Sequence, residues 1–296
     1  MRTILSLLLC SCFTINLQAQ KKIKILISVD MEGVSGVVSN QQLSPAGFEY
    51  ERFREFMTNE TLAAIEGAKQ AGATEIVVVD SHGIGQNILI EKLPDDVMLI
   101  RSQPRKNGMV SGIDNSFDGV MLIGYHSSTT NLEGVRAHTF SSAKLTRVGI
   151  NEKSVSEGMW AAMVTGYYNV PVILISGDNI ATKEMKDFIG DIETAVVKEA
   201  FGFHSAKSLT PNASCRLIKE ASIKAVNRIK DFKPYKISTP VTLDVSFKNY
   251  RPVEVLSYLS IVKRIDSHTI RFIGDDMIKV SDFFTFILEY NSDLEP

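Results

Sequence analysis

Three short apolar runs in this chain each end in side chains that bind cations. Residues 24–29 lead into Asp30-Met31-Glu32-Gly33, residues 75–79 into Asp80-Ser81-His82-Gly83, and residues 119–123 into Gly124-Tyr125-His126. His138 follows in Arg136-Ala137-His138-Thr139, and Glu157 opens an apolar stretch. Asp30 and Glu32 stand at i and i+2, which on an extended chain points both carboxylates to one side. Two such anions a few ångströms apart repel unless a cation or a shared proton intervenes. Gly33 and Gly36 let the backbone turn tightly there. Taken alone, Asp-x-Glu-Gly fits a helix cap with a solvated glutamate equally well, and a lone histidine at a strand end is commonly structural. Two histidines at equivalent strand ends beside the acid pair favour a shared site. A carboxylate in a helix's first turn is favoured by the helix dipole in any case, but the apolar helix behind Glu157 turns that residue inward.

Two imidazoles and three carboxylates suit borderline cations such as Zn²⁺, whereas calcium wants oxygen ligands alone. A single catalytic zinc needs about three protein ligands and a water, so five candidates point to two metals sharing a bridging carboxylate. Asp30 is the natural bridge. Such metals lower the pKa of a bound water and polarise a carbonyl. His138 is then a nearby group able to donate, accept or stabilise charge. His204 and His268 have no such setting and read as structural.

The elements that must position these groups alternate strand with helix. Strands are expected at residues 24–29, 75–79, 97–100, 119–123 and 172–176, and helices at 48–71 and 157–168. A hairpin is expected around Asn151-Glu152, joining 144–150 to 153–155. The apolar, β-branched strands read as a mostly parallel sheet with helices on both faces, a three-layer α/β domain. Beyond residue 200 the pattern changes. A basic amphipathic helix at 216–230, strands at 242–247 and 268–273 and a helix at 276–288 read as a smaller C-terminal α+β domain. The segment 207–212, with Pro211, is the expected boundary, giving units at 22–207 and 208–296. In open α/β sheets, ligands bind at the carboxyl ends of the strands, where three of the candidate groups stand.

Composition narrows the class. The 296 residues are 44% hydrophobic and 22% charged, ordinary for a globular chain. A net charge of −2 with no basic tract argues against a nucleic-acid partner. Residues 1–19 read as a secretory signal: Arg2, an apolar run at 4–9, and Leu17-Gln18-Ala19 before the cut. A spanning helix needs about 20 apolar residues, and Ser11, Thr14, Asn16 and Gln18 interrupt this one, so no stable membrane insertion is expected. Lipoprotein processing at Cys10 would want small residues where Leu7-Leu8-Leu9 stand. Cleavage near Ala19 leaves an exported, periplasmic chain whose one remaining cysteine, Cys215, allows no internal disulfide.

The strings Ser28-Val29-Asp30-Met31-Glu32-Gly33, Asp80-Ser81-His82, Gly124-Tyr125-His126, Ala137-His138 and Gly166-Tyr167-Tyr168-Asn169-Val170-Pro171, with Glu157, resemble the D-aminopeptidase family of zinc metallopeptidases, dipeptide-operon type. The resemblance implies a two-zinc site with Asp30, Glu32, His82, His126 and Glu157 as ligands and His138 as the catalytic histidine. It also implies release of N-terminal residues, D-residues preferred, from short peptides, by a ring-like homo-oligomer. An export signal departs from the family's intracellular setting and turns attention to wall-derived D-Ala peptides. Two rivals use part of the same pattern. A dinuclear phosphoesterase would clamp phosphate with the same ligands, but no Gly-rich loop joined to Lys-Ser or Lys-Thr is present. A periplasmic binding protein would share the export signal and the two-domain layout without needing the ligand set.

Overall fold

The computed structural model describes residues 22–290, so the expected export signal, with Cys10 and Cys12, lies outside the described residues. The chain runs through β1 (Lys24–Val29), α1 (Asn40–Leu43), α2 (Tyr50–Gln70), β2 (Glu75–Asp80), β3 (Val97–Ile100) and β4 (Gly119–Tyr125). The hairpin of β5 (Leu145–Ile150) and β6 (Lys153–Ser154) precedes α3 (Glu157–Tyr167), β7 (Val172–Asp178), α4 (Asn179–Ile189), β8 (Glu193–Gly202) and β9 (Ser205–Ser208). Then come α5 (Pro211–Asn227), β10 (Val241–Phe247), α6 (Tyr250–Leu256), β11 (Val262–Arg264), β12 (Thr269–Gly274) and α7 (Met277–Glu289).

Seven strands form one sheet in the order β3-β2-β1-β4-β7-β8-β9, parallel except for the last pair. Both faces are covered, which is why its strands are apolar at successive positions. Ile25, Ile27 and Val29 pack with Met57 and Ile65 of α2 and with Ile218 and Val226 of α5. Leu26, Val77, Val79, Val120 and Leu122 face the other way, towards Trp160 and Met163 of α3. From β1 the chain goes to β2 and β3 on one side, then crosses to β4 on the other. The strand order therefore reverses between β1 and β4, and the crevice at their carboxyl ends is where open sheets bind ligands.

A second, antiparallel sheet has the order β11-β12-β10-β5-β6. It draws β5 and β6 from before residue 207, so the chain is not divided at the expected boundary. β10 pairs with β5 from Leu243↔Ile150 to Phe247↔Leu145, and Val148, Val245 and Phe284 join one apolar cluster with the first sheet. Pro211 does not mark a linker either. It stands in the first turn of α5, where its missing N–H costs nothing. α1, α4, β8, β9, α6 and β11 have no counterpart in the sequence reading; in α4 and β8, Lys183, Lys186, Lys198 and Glu199 break up the apolar runs.

α5 belongs to the layer of α2. A Cβ on Gly67 of α2 would stand 2.5 Å from the Lys219 carbonyl oxygen and 2.7 Å from Ser222 Cβ of α5. Alanine normally favours a helix over glycine by about 1 kcal/mol, but the carbonyl cannot rotate away. Gly67→Ala should therefore destabilise the fold by about 1–3 kcal/mol, read as a lower midpoint in urea. An unchanged or raised midpoint would show that the two helices are free to separate.

Candidate metal centre

β1 ends at Val29, so Asp30 and Glu32 lie in the turn beyond it rather than on the strand. The turn brings them together all the same. Asp30 N–H donates to the Ile123 carbonyl (2.8 Å) and Gly33 N–H to the Gly124 carbonyl (2.7 Å), which lay the turn on the end of β4. Only glycine fits at 33, since a Cβ there would meet the Tyr125 carbonyl oxygen at 2.1 Å. Ser81 N–H donates to the Val29 carbonyl (2.8 Å), which sets the end of β2 level with that of β1. His82 then reaches over from β2, His126 from β4, and Glu157 from the first position of α3 behind the Ser156 N-cap.

Asp30 sits between two groups of ligand atoms. Its Oδ1 lies 3.3 Å from His82 Nδ1, and Glu32 Oε2 is 2.9 Å from the same nitrogen. Its Oδ2 lies 3.2 Å from His126 Nε2, which is 3.4 Å from Glu157 Oε1. His138 Nε2 is 3.7 Å from Glu157 Oε1 and 3.9 Å from Glu32 Oε1, and its ring stacks on that of His126 at 4.1 Å. Asp30, Glu32 and His82 thus converge on one point, and His126, His138 and Glu157 on a second. All six expected residues are together, and the carboxylate expected to bridge lies between the two groups. Asp80, by contrast, points away and accepts from the Asn87 and Ile88 N–H groups. Cys215 lies on α5, half-buried, and burial pushes its thiol up to about 11. His204 and His268 stand outside the group.

The hydrogen bonds of the imidazoles decide which nitrogens face the site. His82 Nε2 lies 2.8 Å from the Leu43 carbonyl, His126 Nδ1 3.1 Å from that of Ser127, and His138 Nδ1 2.8 Å from that of Arg136. A carbonyl only accepts, so each of these nitrogens carries the proton and donates. The opposite nitrogen of each ring faces carboxylate oxygens. At His82 and His126 the separations are 2.9–3.4 Å, and lone pairs cannot sit so close without a proton or a metal ion between them. Metal-bound histidines show the same device, their second nitrogen tied to a carbonyl or carboxylate. Asp30 Oδ2 and His126 Nε2 are close but not aligned, and each is buried without a hydrogen bond. The residues therefore fit zinc ions at both points.

Burial opposes every charge here, yet opposite charges override it for most of the groups. It works against the imidazolium of His82, but Glu32 and Asp30 hold that ring well above the usual range. His126 is raised in the same way by Glu157 and Asp30. Burial also opposes the Glu32 carboxylate, which His82 nonetheless holds well below its ordinary value. Of the three carboxylates, Asp30 alone is raised, by burial and by the charge of Glu32.

Beside the ligand atoms lies a cleft of about 240 Å³, walled by Phe140, Trp160 and Phe284, with Arg105 and Lys144 among its lining groups. α7 supplies Ser281, Phe284, Thr285 and Leu288 to it. None of these wall residues is singled out by the sequence reading.

An open α/β sheet with two groups of candidate metal-binding side chains at its switch point marks a metallohydrolase. The D-aminopeptidase family model matches residues 23–286, and this chain belongs to that family of peptidases. It is 32% identical over 257 residues to the D-aminopeptidase of Bacillus subtilis (strain 168), an alignment covering 86% of this chain and 93% of the relative. Its fold matches the solved structure of the Zn-dependent D-aminopeptidase DppA from Bacillus subtilis, described as a self-compartmentalizing protease. That match has a TM-score of 0.86 and 31% identity, over 92% of this chain and 100% of the other.

The turn after β1 leans on α2 through a buried acid. Ser35 N–H donates to Glu60 Oε1 at 3.0 Å, while Glu60 Oε2 has no partner. Burial pushes this carboxyl up from 4.5 to about 7. The folded chain therefore holds the proton more tightly than the unfolded one, and stability falls as pH rises from about 4.5 towards 7. Glu60→Gln should remove that slope. Its advantage over wild type in urea denaturation should grow between pH 5 and pH 7.5 by on the order of 3 kcal/mol. A difference that stays flat over this range would place the ionised form in the fold.

Proposed function

We propose that the protein is an exported, two-zinc aminopeptidase that releases N-terminal D-residues from short peptides. One observation carries the reading: Asp30 belongs to one triad of candidate ligand atoms and its Oδ2 lies 3.2 Å from His126 Nε2 of the other, with every imidazole held by a backbone carbonyl. Asp30, Glu32 and His82 would hold one ion, and Asp30, His126 and Glu157 the other. When bound, zinc lowers the pKa of a water and polarises the amide carbonyl. His138 is the part-exposed member of the group, and its free Nε2 can take a proton and return it to the leaving amine. Phe140, Trp160 and Phe284 give the cleft an apolar side against which a short peptide can pack. Preference for D-residues is supported by the family. A ring-like homo-oligomer is supported by the relative described as self-compartmentalizing. The periplasmic setting rests on residues 1–19, and it makes wall-derived D-Ala peptides the natural substrates.

The zinc-loaded protein, assayed against paired D- and L-aminoacyl amides, should release the D-residue by a wide margin. Equal rates, or none, would end this reading. Asp30→Ala should lose both metal ions and all turnover, whereas one retained equivalent of zinc would show that Asp30 does not bridge. His138→Ala should keep its zinc and lose roughly 100- to 10,000-fold in turnover. Loss of one zinc from this variant would instead make His138 a ligand.

A further inference from the structure

The turn that carries Asp30 and Glu32 closes on a cation of the chain's own. Lys198 of β8, buried to 2% exposure, places its ammonium inside the turn. Nζ donates to the carbonyls of Glu32 (2.5 Å), Val34 (3.0 Å) and Val37 (2.8 Å). An ammonium has three protons and no lone pair, so these three acceptors use all of its donors. Lys198 is thereby excluded as a nucleophile or proton donor in the reaction. Converging carbonyl oxygens are the means by which loops hold hard cations. Here a side chain from more than 160 residues downstream fills that role.

The rest of the turn is tied through its N–H groups. Asp30 and Gly33 donate to β4, Ser35 to Glu60 of α2, and Gly36 to Ser208 Oγ of β9 (2.7 Å). Lys198 supplies the only side-chain donor to these carbonyls among the described residues. The β7–β8 register slips by one residue between Gly177↔Val196 and Asp178↔Lys198. Slips of this kind re-aim side chains beside active sites.

We propose that Lys198 is a positioning residue whose ammonium fixes the turn of Asp30 and Glu32 in its metal-binding form. It acts through the Glu32 carbonyl on the Glu32 carboxylate, and touches neither metal nor substrate. Arginine cannot replace it, because a planar guanidinium fork does not match three carbonyls converging on one point. The inference rests on the reading of Asp30, Glu32 and His82 as zinc ligands.

The test compares wild type, Lys198→Met, Lys198→Arg and the α5 core variant Ile218→Ala, whose side chain offers no ligand atom and no hydrogen bond to the turn. Zinc dissociation constants come from competition with a chromophoric chelator, and stability from thermal unfolding of the zinc-free proteins. Both Lys198 variants should bind their weaker zinc about 10- to 100-fold less tightly. Ile218→Ala should unfold at a lower temperature with zinc affinity unchanged. Wild-type zinc affinity in either folded Lys198 variant would overturn the proposal, and if the methionine variant does not fold, the arginine variant decides. Failure of both to fold while Ile218→Ala folds would assign the lysine to the fold at large, which also overturns it. A wild-type protein that binds no zinc would overturn the metal reading itself. Bound zinc in wild type with unchanged Lys198 variants would overturn this inference alone.

Discussion

Asp30, Glu32 and Glu157, none more than 5% exposed, meet within a few ångströms of one another. Removing even one carboxylate from water costs several kcal/mol, and three together add mutual repulsion. The group is tolerable only if positive charge lies among the oxygens and cannot drift away. His82 and His126 supply it as imidazolium, or hold it as ligands beside a metal ion. In either case each ring must be fixed from behind, and a backbone carbonyl does so for His82, His126 and also His138. Much of the local architecture follows from that need: strand ends set level, a turn laid on β4, and a helix that begins at Glu157.

The sheet contributes rigidity rather than chemistry. Parallel strands buried on both faces leave little freedom at their ends, and the reversal of strand order between β1 and β4 opens a crevice there. Beneath it, Ser28 Oγ lies 2.7 Å from Tyr125 OH and 2.9 Å from Ser81 Oγ, tying β1, β4 and the end of β2 just below the ligands. Residues far apart in sequence are thus held in place by neighbours that are close in the sheet.

Much of this was legible in the sequence. The strands that lead to Asp30, His82 and His126 announce themselves by apolar runs, and these candidate groups stand where those runs stop. What could not be read has physical causes. Lys198 looks like an ordinary surface charge, since nothing local shows that three carbonyls await it. The supporting carbonyls of Leu43, Ser127 and Arg136 carry no residue signature at all. The hairpin of β5 and β6 was recognisable, but its pairing with β10 was not, because long-range register leaves no trace in either strand alone. Pro211 reads as a break, yet it is compatible with the first turn of a helix and serves there.

The cleft joins two parts of the molecule with different obligations. Its floor is made of residues that must keep their identity, because charge and geometry allow few substitutes. Its far wall, on α7, is made of Ser281, Phe284, Thr285 and Leu288, which belong to neither group of candidate metal-binding side chains. Changes in that helix can reshape the cleft while leaving every ligand atom in place. Selectivity and catalysis can therefore diverge separately within one ancestry, with new substrates reached by repacking a helix rather than by rebuilding a metal site.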